Sequence, residues 1–108
     1  MFMWSSDRPG VSAAAAPTNA DLGHAIRRLR RARRMTIEGL AHAADMHPTY
    51  LSGIERGLRN PTWSKLIALA GALNVPIAEI ARDSEAQAQL AVRMRLVRSE
   101  LGIPERFA

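Results

Sequence analysis

The sequence predicts an all-α protein built from several short amphipathic helices. Apolar residues recur at intervals of three and four along most of the chain, and no segment shows the alternation of apolar and polar residues that is typical of a strand. Gly, Asn and Pro interrupt the pattern repeatedly, which limits the length of each predicted helix. The 108 residues have room for one domain. A core of about 60 residues is marginally stable alone, so we expect a dimer.

The basic charge is concentrated at the start of the chain. The net charge is +5, and residues 1–35 contain seven Arg against two acidic residues, whereas the rest of the chain is close to neutral. The absence of Cys excludes a disulfide scaffold, a thiol nucleophile and a Cys-ligated zinc site. No apolar run approaches the roughly 20 residues that a bilayer requires, and residues 1–9 lack the features of a secretory signal. We therefore expect a cytoplasmic protein with no membrane partner.

The chain divides into four predicted segments: a flexible arm over residues 1–19, a folded domain over 20–82, a C-terminal helix over 83–102 and a tail over 103–108. The arm contains several Pro, Gly and Ala residues and has no apolar period that defines a buried face. Phe2 and Trp4 are the aromatic residues of the arm, and their side chains can pack on the domain or on a partner.

The first predicted helix begins near Thr18 to Asp21, where capping side chains precede the apolar residues. Leu22, Ile26 and Leu29 follow at i, i+4 and i+7 and therefore face the core. The rest of the circumference carries six Arg in eight residues: Arg27, Arg28, Arg30, Arg31, Arg33 and Arg34.

A second and a third helix, joined by one tight turn, are predicted in the middle of the chain. Thr36 is a good N-cap for the second helix, whose buried stripe comprises Ile37, Leu40, Ala41 and Ala44. Asp45 tolerates a left-handed backbone and ends this helix, and Met46 enters the core. His47 precedes Pro48 and is therefore extended, which makes Pro48 the natural first residue of the third helix.

The third helix separates an apolar face from a polar one. Leu51 and Ile54 point inward at i and i+3. The helix ends at Gly57, and its outward row consists of Thr49, Ser52, Gly53 and Arg56. This row is short, polar and uncharged until Arg56.

Three further helices are predicted after this region. Thr62 caps a fourth helix, with Leu66, Leu69, Ala70 and Leu73 inward, and a short fifth helix contains Ile77 and Ile80. Ser84 begins a capping box, which predicts the start of a sixth helix. Its apolar seam consists of Leu90, Met94, Val97 and Leu101. The seam packs back on the domain or pairs with its counterpart in a dimer, and we favour the dimer because the five-helix core already looks closed.

The middle of the chain resembles the Cro and phage-repressor (XRE-like) family of helix-turn-helix transcription regulators. The likeness runs from about Leu22 to Ile80 and is carried by Leu22-Gly23, Ile26-Arg27, Leu29-Arg30, Leu40-Ala41, Tyr50-Leu51-Ser52, Ile54-Glu55-Arg56-Gly57 and Arg59-Asn60-Pro61. It implies a five-helix lambda-repressor-like DNA-binding domain, here with an additional C-terminal helix. It also implies double-stranded DNA as the partner and a homodimer as the active form.

The resemblance assigns roles to individual positions. Residues that reach base edges or flanking phosphates align with His47, Pro48, Thr49, Ser52 and Gly53, and those that hold the sugar-phosphate backbone align with Tyr50, Arg56, Arg59 and Asn60. Thr36 caps a helix whose backbone amides can face a phosphate. The residue aligned with Arg30 often pairs with the one aligned with Glu55, so we do not expect Arg30 to contact DNA. No acidic residue interrupts the first helix's basic segment, and we expect phosphate contacts from one or two of Arg27, Arg28, Arg31 and Arg34.

Three positions depart from the family pattern. Ile37 replaces a common Gln and cannot donate a hydrogen bond, Gly53 stands where a long polar reader is frequent, and Pro48 replaces a hydrogen-bonding residue. The outward row therefore offers no bidentate partner for guanine or adenine. We expect specificity to rest partly on DNA shape and on the spacing of the dimer.

Other chemistries find little support in the sequence. Glu38 and His42 lie four residues apart on one helix face, but two ligands do not make a metal site, and His24 and His47 lack partners at ligand spacing. Ser52 near His47 has neither a carboxylate nor an oxyanion turn. We predict no metal, no cofactor and no enzyme activity, and we interpret Trp63 as a core or interhelix anchor. The predicted function is a sequence-specific DNA-binding transcription regulator, most simply a repressor. The alternative is an antitoxin-type or other protein-interaction module with secondary DNA binding.

Overall fold

The fold is an assembly of five helices. A computed structural model describes residues 16–102 and contains α1 (Asn19–Ala32), α2 (Ile37–Ala43), α3 (Pro48–Glu55), α4 (Trp63–Leu73) and α5 (Ile77–Leu101). Residues 16–102 include no strand. The predicted all-α class is confirmed. The predictions for Phe2, Trp4 and the tail over 103–108 lie outside the described residues.

Threonine side chains cap three of the helices, as the sequence predicts. Thr18 and Asp21 form a reciprocal box at α1, in which the Asp21 amide donates to Thr18 Oγ1 at 3.3 Å and the Thr18 amide donates to the Asp21 carboxylate at 2.9 Å. Thr36 Oγ1 accepts from the Gly39 amide at 2.9 Å, and Thr62 caps α4 in the same way. Each cap satisfies an amide that has no partner within its helix.

Left-handed backbone conformations separate the helices. The predicted turn residue Asp45 has φ 55°, and Gly57, directly after the C-cap of α3, has φ 77°. Asn74 ends α4 in the same conformation. Arg34 also has φ 55°, which the sequence does not predict because Arg has no special tolerance for this region. These turns bring α2 and α3 together and fold the chain back after α3.

The core lies where α1, α2, α3, α4 and the first half of α5 meet. Its fully buried side chains are Ile26, Leu40, Leu51, Ile54, Leu69, Leu73 and Ile80. These residues come from the inward rows that the apolar period predicts. Met46 packs against this cluster and is partly buried. The core therefore covers the inward face of α3 and leaves its polar face outside.

The predicted fifth and sixth helices are a single helix. α5 runs without a break from Ile77 to Leu101, and the expected start of a new helix at Ser84 is wrong. The Ser84 side chain is buried and its hydroxyl donates to the Ile80 carbonyl at 2.8 Å, so it bonds back along the helix and does not cap one. No Gly or Pro interrupts residues 77–101, and burial of Ser84 overrides the local capping pattern.

Trp63 is not the anchor that the sequence predicts. Its side chain is 63% exposed, and Ile67, one turn later on α4, is 49% exposed. The buried residues of α4 begin only at Leu69. Trp63 is the first residue of the helix and lies beyond the end of this buried row.

Within residues 16–102, no single helix combines the length and the apolar character that a membrane span requires. Among the described residues, only α4 and α5 taken together are as long and as apolar as a membrane span. The axes of these two helices, however, are bent by 100° with respect to each other.

Candidate nucleic-acid interface

The contact between α1 and α3 depends on a glycine. A Cβ atom on Gly23 would overlap the backbone carbonyl oxygens of Ile54 and Glu55. The two backbones therefore touch at this point, and only a residue without a side chain permits it. This contact sets how closely the last turn of α3 approaches α1.

A buried ion pair reinforces the same contact. Arg30 Nε donates to Glu55 Oε2 at 2.7 Å and its second terminal nitrogen to Oε1 at 3.1 Å, and the side chains are 10% and 4% exposed. Arg30 also donates to the Met35 carbonyl at 2.9 Å. Hydrogen bonding to Glu55 raises the pKa of Arg30 above its ordinary value, although burial acts in the opposite direction. Arg30 thus links α1, the following turn and α3, as the resemblance implies, and its donors face Glu55 and Met35.

The start of α3 has a histidine cap. His47 is extended, and its Nδ1 accepts from the Thr49 amide at 3.0 Å, with Pro48 as the first helical residue. Because Nδ1 accepts, the neutral ring carries its proton on Nε2, and the exposed side chain presents a hydrogen-bond donor. The predicted start of α3 is confirmed.

Most of the predicted reading residues lie at the surface near α3. Exposed side chains belong to Thr36, His47, Thr49, Arg56, Arg59 and Asn60, and partly buried ones to Pro48, Tyr50 and Ser52. Tyr50 packs against the core cluster. The helix and the loop after it thus form one polar surface with hydroxyl, imidazole, amide and guanidinium groups.

Gly53 lies in the outward row but is not exposed to solvent as predicted. It is buried, and a Cβ atom on it would lie 2.7 Å from Arg59 Cγ. The side chain of Arg59 therefore covers the position in the outward row that the sequence leaves empty. Sequence periodicity gives no sign of this contact, because the left-handed turn at Gly57 separates the two residues.

The Arg residues of α1 do not form one uniform surface. Arg27 and Arg31 are exposed and line an open hollow together with His24 and with Gln87 of α5. The structure thus places them beside α5, whereas the contact of α1 with α3 is made by Gly23 and Arg30. Their phosphate contacts remain a prediction.

Arg28 is engaged by an acidic residue, contrary to its inclusion among the phosphate contacts. Its Nε lies 3.0 and 2.9 Å from the two carboxylate oxygens of Asp83, and its terminal nitrogen lies 2.6 Å from one of them. This hydrogen bonding raises the pKa of Arg28 above its ordinary value. The side chain of Arg28 therefore joins α1 to α5.

His24, His42 and His47 are all exposed. In the part of the chain that the structure describes, no three His, Asp or Glu side chains are grouped to hold a metal ion.

The sequence that forms these helices matches a known protein family. A sequence model of the helix-turn-helix domain matches residues 21–82, more than half of the chain. The chain belongs to the helix-turn-helix domain family. The match covers α1 to α4 and the first turns of α5, so the resemblance to helix-turn-helix regulators is confirmed.

Individual relatives agree with the family match. An immunity repressor protein of Bacillus phage phi105 is 32% identical over 92 residues, which are 74% of this chain and 64% of the repressor. The clp gene regulator ClgR of Corynebacterium glutamicum is 29% identical with a TM-score of 0.69, over 75% of this chain and 87% of that structure. The restriction-modification controller protein C.Esp1396I, solved as a tetramer with its natural 35 base-pair operator, is 28% identical with a TM-score of 0.61, over 66% and 93%. This helix-turn-helix chain spans less than two thirds of the phage repressor's length.

The outer part of α5 lies beyond the matched helix-turn-helix region. Leu90, Met94, Val97 and Leu101 are between 47% and 67% exposed. Leu90 and Met94 border an open groove next to the start of α1. The seam is therefore not packed back on the domain within residues 16–102.

Proposed function

We propose that this helix-turn-helix protein is a sequence-specific DNA-binding transcription regulator that acts as a homodimer. The observation that carries the proposal is the polar outer surface of α3, which a close backbone contact and a buried ion pair fasten to α1. A rigidly held helix of this kind fits the major groove of B-DNA, whose width admits an α-helix. The relative C.Esp1396I, solved with its operator, supports the same role.

Each polar group of the surface has a task in the proposed complex. The hydroxyl groups of Thr49 and Ser52 meet base edges, and the Nε2–H of His47 meets a base or a flanking phosphate. Arg56 and Asn60 hold the sugar-phosphate backbone beside the groove, together with Thr36 and Tyr50. Arg27 and Arg31 add positive charge at a greater distance, which strengthens attraction to DNA.

The second copy of the chain is proposed to pair along the α5 seam. The seam is apolar and exposed, and it follows directly on the part of α5 that packs in the core. Pairing would bury side chains that otherwise face water. The two copies of α3 would then read half-sites about one helical turn apart, near 34 Å.

Repression by occlusion of a promoter is the simplest regulatory mechanism for such a chain. It requires only binding of the dimer across the site that the polymerase uses. We further propose that the protein is not an enzyme and that it acts in the cytoplasm, in keeping with its relatives, which include a phage immunity repressor.

The decisive experiment selects binding sites from random duplex DNA with the full chain and then footprints the best site. We expect protection of two related half-sites with two-fold symmetry. Thr49→Ala should weaken binding to this site, whereas Ser99→Ala, which removes an exposed hydroxyl group far along α5, should not. Recovery of random sequences without enrichment would refute the proposed function.

A protein-interaction role is the second candidate function. It is favoured by exposed apolar side chains on two helices, Trp63 and Ile67 on α4 and the seam on α5. In that case a different protein, and not a second copy, would cover the seam. Light scattering of the purified chain distinguishes the two, since a stable dimer without other components supports the regulator.

A further inference from the structure

The side chain of Arg59 lies along the surface of α3 and does not extend away from the protein. An added Cβ on Gly53 would lie 2.7 Å from its Cγ, 3.5 Å from its Nε and 3.7 Å from its Cδ. Three successive atoms of the side chain therefore pass directly over residue 53. The contact requires the absence of a side chain at that position.

The backbone after α3 holds Arg59 in this place. The Gly57 amide donates to the Ile54 carbonyl at 3.0 Å, and the Leu58 amide donates to the Gly53 carbonyl at 2.8 Å. With Gly57 left-handed, these bonds turn the chain back over the last turn of α3. Arg59 follows at once, so its origin beside Gly53 is built into the fold.

The guanidinium group of Arg59 is available to a ligand. Arg59 is exposed, and the ion pairs within residues 16–102 engage Arg28 and Arg30. No hydrogen bond among the described residues uses Arg59. Five N–H donors in a fixed plane therefore remain free at the surface of α3.

The position that Arg59 covers is the centre of the outward row. On a helix, residue 53 neighbours Thr49 at i−4 and Arg56 at i+3, and it follows Ser52. These are the side chains proposed to face the groove. A guanidinium group at this point lies among the base-reading side chains, whereas phosphates run along the edges of the groove.

We propose that Arg59, laid across Gly53, is the principal base-reading side chain of this protein and that its target is a guanine in the major groove. Arginine donates two hydrogen bonds to guanine O6 and N7, and this pair is the most common specific contact in protein–DNA complexes. The inference rests on the proposed function, since it requires α3 to enter the groove. It replaces two expectations from the sequence, namely that the outward row has no bidentate reader and that Arg59 holds the sugar-phosphate backbone.

The first test compares sites selected from random DNA by the wild-type chain and by Arg59→Ala. We expect one guanine in each wild-type half-site, with a discrimination against other bases of about ten- to a hundredfold that Arg59→Ala abolishes. If Arg59 instead held a phosphate, the variant would weaken all sequences equally and lower the salt slope by about 0.9. Retention of the guanine preference, or uniform weakening, would overturn the proposal while leaving the proposed function intact.

The second test displaces Arg59 without removing it. Gly53→Ala introduces a methyl group that meets only a flexible side chain, so Arg59 shifts and the helix stays folded. We expect the same loss of guanine preference as in Arg59→Ala, and no further loss in the double variant. Gly71→Ala on α4 is the matched control, because its Cβ meets nothing within 4 Å.

The possible outcomes of the two tests separate the role of Arg59 from its positioning by Gly53. A Gly53→Ala protein that keeps the guanine preference contradicts the positioning of Arg59 by Gly53. If Gly53→Ala fails to fold by circular dichroism, Arg59→Ala alone decides the identity of the reader. If the wild-type chain selects no sequence at all, the proposed function fails and the assignment of Arg59 fails with it.

Discussion

α1 makes two ion pairs of similar geometry in two different environments. Arg30 binds Glu55 of α3 with both side chains nearly excluded from water, whereas Arg28 binds Asp83 of α5 with 55% of its own side chain exposed. Both arginines approach a carboxylate with more than one nitrogen. The comparison shows that the ion pair between α1 and the reading helix is shielded from water, whereas the ion pair between α1 and α5 is open to it.

Burial determines how much each pair matters. When a buried charge loses its partner, water cannot take the partner's place and the charge stays uncompensated. An exposed charge that loses its partner is hydrated by solvent. The α1–α3 contact also includes Gly23, whose neighbours are backbone atoms that cannot move aside. The following variants test this difference between the two contacts, in order of decreasing expected effect on stability.

Glu55→Gln should have the largest effect. It leaves Arg30 buried beside a neutral amide, and loss of one partner of a buried pair costs about 3–5 kcal/mol. The free energy of unfolding from urea titration measures this. The double variant Arg30→Met with Glu55→Leu is the informative control, because it removes both charges and should recover most of the loss. A loss below about 1 kcal/mol for Glu55→Gln would place this pair in the range of exposed pairs.

Gly23→Ala should be the next most destabilising change. The new methyl group overlaps two carbonyl oxygens of α3, and overpacking of this kind costs about 1–3 kcal/mol. Gly71→Ala, at an open position of α4, should instead stabilise the fold by up to about 1 kcal/mol through helix propensity. Thermal unfolding of both variants measures the difference. Equal melting temperatures would contradict the close contact between α1 and α3.

Arg28→Ala should cost little. Exposed ion pairs contribute about 0.2–1 kcal/mol, and salt screens them further. Unfolding measured at low and high salt should therefore show a small difference that shrinks as salt is added. A cost comparable to that of Glu55→Gln would mean that the ion pair between Arg28 and Asp83 stabilises the fold as much as the buried pair does.

Changes in the outer half of α5 should have the smallest effect on folding and a large effect on assembly. Met94 and Val97 are about half exposed, so replacing both with Lys should leave the melting temperature of a dilute sample almost unchanged. Sedimentation should then report a monomer if the seam forms the dimer. Ser99→Lys adds a positive charge on the opposite side of α5 and should leave the dimer intact. A dimer that survives both seam substitutions would locate the interface elsewhere.

The helix starts and turns were predictable because their signals are local. Thr18, Thr36 and Thr62 each lie next to the amide that they cap, and Asp45 needs only its own tolerance of a left-handed backbone. Ser84 shows the limit of such reasoning. Its capping pattern is local, but its burial at the core depends on residues far away in the sequence and keeps α5 continuous.

The site was less predictable than the fold for the same reason. The resemblance to known regulators implied the pairing of Arg30 with Glu55, but nothing in the periodicity indicates that Asp83 binds Arg28, 55 residues away. Arg59 and Gly53 are close in sequence, yet a left-handed turn separates them and the helical period does not continue through it. Contacts that depend on how segments fold back on each other require the structure.

The unbroken course of α5 gives the proposed dimer a mechanical property. Its 25 residues form a rod of about 38 Å at 1.5 Å per residue, which is anchored in the core at one end and carries an exposed apolar seam toward the other. Because it contains no Gly or Pro, this helix resists bending. Its length therefore fixes the distance and the angle between the two copies of α3 in the proposed dimer. In the proposed dimer, the operator must match the dimensions of the protein, and the length of one helix contributes to the choice of DNA.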